Sequence, residues 1–228
     1  MSKFVVSSKK NWRWKRIRRK PPSINEEEKK IKQWKKVNLE TLTKWAQEGI
    51  ITLMYFDESG CVCESPLVYS YGKKGEQKQI EQNRRKGRRI NVMGVWEPEQ
   101  KMEYAMVASS VKTKTYICFM ENQAKKAALR LFNTGKLTVI VQDNASIHRS
   151  KEARKEQKKW EKLGLLTFFL PTYSPEMNRI EEQWLHLKRG ELQARVYEDE
   201  YELVEGIIEG MNNRGKKNNH EVERFTFN

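Results

Sequence analysis

Leu170-Pro171-Thr172-Tyr173-Ser174-Pro175-Glu176-Met177-Asn178-Arg179-Ile180-Glu181-Glu182-Gln183-Trp184 is the stretch on which the reading of this chain turns. It reads as the end of a strand, a proline-punctuated loop and the start of a helix. Pro171 and Pro175 each push the residue before them out of the α region, so the helix begins no earlier than about Glu176. Asn178 is placed as its N-cap, with Glu181 three residues later where a capping-box acid sits. The helix also carries a choice between acids. At about 100° per residue, Ile180, Trp184 and Leu187 form one apolar stripe with Met177 and Leu185 on its flank. Glu181 lies at the edge of that stripe and Glu182 about 100° further round, toward solvent. Glu176 belongs to the loop. Glu181 is therefore the acid placed to meet groups from the rest of the chain.

Two other acids are candidates to meet it. Ile50 to Phe56 is a nearly continuous apolar run, the pattern of a strand covered on both faces, and it ends in Asp57-Glu58-Ser59-Gly60. Leu137 to Val141 is a second such run, ending in Gln142-Asp143-Asn144. In open α/β sheets ligands gather at the carboxyl ends of the strands, so Asp57 and Asp143 share the functional edge if these strands are neighbours. A lone Asp after a strand is ordinarily a turn residue. Two of them, with a third acid on a downstream helix, weigh against that reading. Three carboxylates around one point repel each other unless a cation sits there. Mg²⁺ or Mn²⁺ suits such oxygen ligands, and two ions about 4 Å apart clamp the attacking and leaving oxygens of a phosphodiester. The chain offers no G-x-S-x-G, P-loop or H-E-x-x-H pattern as a rival. His148, His186 and His220 are too scattered for a histidine metal site. Only His148, five residues after Asp143, is placed near the acids, where the ordinary reading is a polar helix-start residue.

Working outward, Pro21-Pro22-Ser23 closes a basic tail and Glu26-Glu27-Glu28 opens a helix running to about Gln47, stopped by Gly49. Ile31, Trp34, Leu39, Leu42 and Trp45 form its sparse apolar stripe, with Glu26-Lys30 and Glu28-Lys32 as i,i+4 pairs. Leu67 to Tyr71 reads as a short strand closed by Gly72-Lys73-Lys74-Gly75. Ile90 to Trp96 and Met102 to Ala108 flank a turn and read as a hairpin. Thr113 to Phe132 is a helix with Ile117, Met120, Ala124, Ala128 and Leu131 on one face. A polar helix spans about Arg149 to Leu163, and Leu165 to Leu170 is the strand that leads into the opening stretch. The helix from Met177 reaches about Ala194, a last helix runs from Glu198-Asp199-Glu200 through Met211, and the chain from Asn212 onward reads as loop or tail. Phe225-Thr226-Phe227 is a late docking point. The order predicts an α/β fold, a mixed sheet with helices on both faces.

Composition points to a polyanionic partner. The 228 residues carry a net charge of +15, 33% charged side chains and a mean hydropathy of −0.87. Nine basic side chains and no acid fall in residues 1 to 20, so the tail alone holds +9 of that charge. Trp12 and Trp14 within it suit stacking on bases or sugars beside phosphate contacts. No apolar run is long enough to span a bilayer, and no signal peptide pattern is present, so a cytoplasmic, nucleoid-associated protein without a membrane partner is expected. Cys61, Cys63 and Cys118 lack the spacing of a zinc knuckle and read as free thiols.

Three blocks resemble the DDE transposases of the Tc1/mariner superfamily, in particular its bacterial IS630 group. Tyr55-Phe56-Asp57-Glu58-Ser59 is similar to the family's first acidic strand. Val141-Gln142-Asp143-Asn144-Ala145-Ser146-Ile147-His148 is similar to its D-N-A-x-x-H block, and Leu170 to Trp184 to its L-P-x-Y-S-P-x-L-N-P-I-E-x-x-W block. The resemblance covers about residues 50 to 215. Arg179 stands where the family has proline and Met177 where it has leucine, and the 37 residues between Asp143 and Glu181 slightly exceed the usual interval. None of these departures removes an acid.

The resemblance implies an RNase H-like domain at residues 50–215, a mixed sheet of about five strands flanked by helices. It would be preceded by a basic tail (1–22) and a linker helix (23–49) and followed by a C-terminal tail (216–228). It also implies a catalytic triad of Asp57, Asp143 and Glu181 holding two Mg²⁺ or Mn²⁺ ions, with Asn144 and His148 as accessory candidates. The expected activity is cleavage of double-stranded DNA at element ends and strand transfer into target DNA at TA sites, by a homo-oligomer on DNA. Arg13, Arg16, Arg18, Arg19, Arg84, Arg85, Arg88 and Arg89 are the expected phosphate contacts. The family's helix-turn-helix half is not found before the tail, so a separately encoded half is an expected partner. A DNA-binding relic of a transposase and an RNase H-like nuclease without strand transfer are the rival readings.

Overall fold

Alternation along one strand explains why this sheet needs helices on both sides. In β1 (Ile51–Val62) the odd residues Leu53 and Tyr55 join one buried cluster and the even residues Met54 and Phe56 join the other, because successive side chains leave opposite faces of a strand. The computed structural model describes residues 25–63, 89–172, 174–193 and 195–227. The basic tail, the strand expected at Leu67–Tyr71, its glycine loop, and Arg84, Arg85 and Arg88 lie outside the described residues.

After α1 (Glu26–Gln47) and β1 come the hairpin strands β2 (Arg89–Glu97) and β3 (Lys101–Val107), then α2 (Thr113–Thr134), β4 (Leu137–Gln142), α3 (Lys151–Lys162) and β5 (Leu165–Phe169). A short 3-10 turn at Pro175–Met177 precedes α4 (Ile180–His186), which widens into a π-type turn at Leu187–Glu191. The chain closes with α5 (Glu200–Asn218) and β6 (Glu221–Phe225). The sheet order is β5-β4-β1-β2-β3-β6. β1 pairs antiparallel with β2 and parallel with β4, so the two apolar strands are neighbours at the sheet centre.

One face carries α2 and α3, with Tyr116, Phe119, Met120, Ala153 and Trp160 buried against it. The other carries α4 and α5, with Ile180, Trp184, Leu187, Leu203 and Ile207 buried. Each such large side chain contributes about 1.5–3 kcal/mol by leaving water. No described helix is long and apolar enough to cross a membrane. Cys61 and Cys63 are buried and Cys118 exposed, and none of the three forms a disulfide among the described residues.

The structure corrects several local expectations. The sheet has six strands rather than about five. The sixth arises because α5 continues past Met211 to Asn218, where a left-handed Asn219 turns the chain and lays β6 parallel to β3. Residues expected as loop and tail thus complete the sheet, and Phe225 docks edge-on against Phe119 at 5.7 Å. The inward face of α2 is Tyr116, Phe119, Met120, Gln123, Ala124 and Ala127, rotated from the expected stripe. In α1 only Leu39, Leu42 and Ala46 pack on the core, because only its C-terminal half lies over β1. Its N-terminal half reaches the loop after β5, where Lys32 pairs with Glu176 at 2.7 Å and Lys35 stands 4.4 Å from the Phe168 ring centre. Trp34 and Trp45 stay exposed. The expected i,i+4 pairs are replaced by Glu26-Lys29 and by a capping box between Asn25 and Glu28.

Candidate active site

Asp57 and Asp143 stand level at the centre of the sheet. The parallel ladder between β1 and β4 ends at Tyr55↔Val141, and two further residues on each strand give the two aspartates. Neighbouring strands run about 4.8 Å apart. Asp57 is not at a strand end as expected. β1 runs on to Val62 because its antiparallel partner β2 continues beyond the last rung with β4, and Asp57 pairs with Gly94. Alternation then sends Asp57 to the α4 face and Glu58 to the α2–α3 face.

Glu181 comes from α4, held against β1 and β2 by three contacts. Ile180 and Trp184 are buried in the core. The absence of a side chain at Gly94 lets the Trp184 ring lie on β2 beside Asp57; a Cβ there would come within 2.8 Å of the ring. Asn178, expected as an N-cap, makes no side-chain cap. Its Nδ2 instead donates to the Phe56 carbonyl at 2.9 Å, next to Asp57, and its extended backbone breaks the expected continuous helix. Leu185, expected on the inward flank, is exposed, as are Glu176, Glu181 and Glu182 alike.

A cleft of about 340 Å³ is lined by Asp143, Asn144, Pro175 and Glu181, and one of about 520 Å³ by Asp57, Glu58, Pro175, Glu181 and Lys188. Glu181 and Pro175 border both clefts, with Asp143 on one and Asp57 on the other. Arg89 opens β2 opposite Val62, with its guanidinium across Gly60 on the extension of β1 beyond Asp57.

Electrostatics at these clefts are unfavourable to their own carboxylates. Burial pushes the Asp57 carboxyl up to about 7, and Glu58, Glu181 and Asp143 reinforce the rise. Glu181 is also raised, by burial first; Lys188 partly offsets this while Asp143 and Glu176 add to it. Asp143 goes the other way. Burial would raise it, but His148 and the Ala145 N–H, which donates at 3.0 Å, hold it below the usual carboxylate range.

Sequence reasoning missed how His148 is held. It is fully buried; its Nε2 lies 3.0 Å from Glu58 Oε1 and its Nδ1 2.8 Å from Asp143 Oδ1. The second contact lies off the ring N–H direction and is an ion pair rather than a directed hydrogen bond. Burial alone would lower the imidazole, but the two carboxylates raise it to about 9. Tyr116 packs at 4.5 Å on one side and Gln157 donates to the His148 carbonyl. The signal in the sequence was the Asp57-Glu58 pair, since adjacent strand residues serve opposite faces. Lys188, on the π-type turn, was likewise missed.

Among the described residues, no three acidic, histidine or cysteine side chains converge closely enough to form a ready metal cage. The donor set nonetheless fits a hard cation, since three carboxylates from separate elements border adjoining clefts and the charges of Glu181 and Asp143 add to the rise at Asp57.

Residues 52–204 match the family model described as DDE superfamily endonuclease, and the chain belongs to that superfamily. Among solved structures, the Mos1 mariner paired end complex with Mn is 15% identical with a TM-score of 0.61, covering 92% of this chain and 65% of that one. The Mos1 Strand Transfer Complex is 15% identical with a TM-score of 0.59, at 88% and 58% coverage. The catalytic domain of Mos1 mariner transposase is 15% identical with a TM-score of 0.56, at 83% and 82% coverage. The chain thus has the fold of that catalytic domain, the expected RNase H-like mixed α/β sheet, and spans under two thirds of the longer Mos1 chains. No curated protein sequence matches it.

Proposed function

We propose that the chain is the catalytic domain of a Tc1/mariner-type DNA transposase, cleaving DNA strands at element ends and joining them to target DNA, with TA as the target. The observation that carries this reading is that Asp57 and Asp143 follow matching register positions on neighbouring strands, with Glu181 on the border of the clefts beside each. These three residues would hold two divalent ions, Mg²⁺ or Mn²⁺. When bound, the ions supply activation of the attacking oxygen and neutralise charge at the phosphodiester. The similar Mos1 structures include complexes with Mn and with Mg, a paired end complex and a strand transfer complex, which supports metal use and an oligomer on double-stranded DNA.

The chain's own residues have separate tasks. His148 and the Ala145 N–H fix one Asp143 oxygen, so the carboxylate is aimed before substrate arrives. Asn178 sets the distance of α4 from β1 and with it the reach of Glu181. Lys188, between Glu181 and the Asp57 cleft, offers a cation to a nearby phosphate. Asn144 lines the cleft beside Asp143, where its amide is available to a DNA oxygen. Arg13, Arg16, Arg18, Arg19, Arg84, Arg85, Arg88 and Arg89 remain proposed phosphate contacts, a separately encoded helix-turn-helix half the proposed partner, and a cytoplasmic, nucleoid-associated location the proposed setting.

Metal-dependent nicking of supercoiled DNA tests the reading. Asp143→Asn and Glu181→Gln should each lower nicking by about 100-fold or more, as loss of several kcal/mol of transition-state stabilisation requires, and Glu182→Gln by less than about threefold. Wild-type protein inert with both Mg²⁺ and Mn²⁺, even when supplied with a recognition half, overturns the catalytic claim. Activity that survives Glu181→Gln but not Glu182→Gln overturns the assignment of the third acid.

A further inference from the structure

We propose that the outer face of α3 is a docking surface for the phosphate backbone of a DNA duplex. The sequence reading saw only a polar helix here. Ala153 and Trp160 are its buried face against the sheet. Lys151, Arg154, Lys155, Lys158, Lys159 and Lys162 are all exposed. At about 100° per residue these six cations fall within an arc of about 140° opposite Trp160. Glu152 and Glu161 sit at the borders of that arc and Glu156 beyond it, leaving the centre purely basic.

A solvated helix face usually mixes signs, since opposite charges three or four residues apart attract and like charges repel. Here Lys151, Lys155 and Lys159 follow one another at i+4, and so do Arg154, Lys158 and Lys162. Among the described residues only Lys159 of the six has an ion pair, with Glu156 at 2.7 Å. The half-buried Lys101 and Lys126 are by contrast both paired with Glu103 and Glu223. Repulsion left uncompensated within the protein is relieved by an external polyanion. The stripe spans about 17 Å of helix, a length over which a duplex presents about ten phosphates.

The surface is also tied rigidly to the clefts described above. Ser150 caps α3 by accepting from the Ala153 N–H at 3.1 Å, and Gln157 Nε2 donates to the His148 carbonyl at 3.0 Å. Lys151 follows Asp143 by eight positions. The start of α3 is thus fixed close to the Asp143 loop, so a duplex held at either place is near the other. The proposal rests on the transposase reading for the identity of its polyanion, and on α3 itself for its location.

Binding of the full chain to a duplex of arbitrary sequence, followed by fluorescence anisotropy in EDTA at several salt concentrations, tests it apart from catalysis. Each phosphate contact contributes about 0.9 to the slope of log affinity against log salt. The triple variant Lys155→Gln/Lys158→Gln/Lys162→Gln should flatten that slope by about 2.7, so from about 50 to 200 mM salt the wild type loses about 40-fold more affinity than the variant. The charge-matched variant Lys36→Gln/Lys44→Gln/Lys216→Gln, altered on helices of the opposite face, should change the slope by less than about 1. Circular dichroism should be unchanged in both, and the Tm should fall in neither. Equal changes in the two variants, or none in the α3 variant, overturn the proposal. So does an α3 variant that loses binding to phosphatidylserine vesicles while keeping its duplex affinity. Because metal is absent, a failed nicking assay with a flattened slope sinks only the catalytic reading, and the reverse sinks only the docking surface.

Discussion

Asp57→Asn should stabilise the metal-free protein, and more so as pH rises. The Asp57 carboxyl is raised to about 7 in the folded chain, by burial and by Glu58, Glu181 and Asp143. An unfolded Asp titrates near about 3.9. The folded state therefore binds more protons across that window, and its stability falls as pH rises from the unfolded value through the folded one. At about 1.36 kcal/mol per unit, ionising Asp57 costs about 1.5 kcal/mol at pH 5 and about 4 kcal/mol at pH 8. Asparagine keeps the shape and never ionises. Urea unfolding in EDTA should thus show the variant gaining about 2.5 kcal/mol on the wild type between those two pH values. Mg²⁺ should reverse the ranking at the higher pH, because a cation bound by the folded state stabilises it by mass action and needs the charged carboxylate. Parallel pH profiles for the two proteins in EDTA would refute the reasoning, for they would mean that Asp57 is neither buried nor set beside other carboxylates as the structure has it.

Two further substitutions probe the frame of the site. His148, fully buried between Glu58 and Asp143, is raised to about 9, so its contribution is complete below its unfolded value and lost as pH climbs through the folded one. The advantage of wild type over His148→Gln should shrink by about 3 kcal/mol from pH 6 to pH 9.5, measured by urea titration; a constant difference would show that no charged imidazole bridges the two acids. Gly94→Ala places a methyl 2.8 Å from the Trp184 ring and 2.9 Å from Met102. It should lower stability by about 1–3 kcal/mol through overpacking and depress nicking as α4 is levered off β2; a variant with wild-type Tm and activity would show that α4 does not rest on that spot.

The difference between strand and helix periodicity explains which parts of this arrangement were legible. Apolar runs at Ile50–Phe56 and Leu137–Val141 announce strands buried on both faces, and 3.6-residue spacing announces the buried Ile180, Trp184 and Leu187 of the helix that follows. These patterns are written locally, in neighbours along the chain. The role of Asn178 was not legible, because a capping residue and a cross-strand donor have the same sequence context, and its partner Phe56 lies 122 residues away. Nor was the strand continuation through Asp57, which depends on β2 outlasting β4 as a neighbour.

By itself, then, the sequence determined the mixed α/β class and the two acidic strands, since each follows from side-chain periodicity. Only the tertiary structure decided that Asp57 and Asp143 stand level, that β6 completes the sheet, and that Glu58 crosses to the far face to hold His148 against Asp143. Those facts depend on register between strands and on contacts such as the 90-residue span from Glu58 to His148. No local pattern encodes them, because they form only when separate elements share one core.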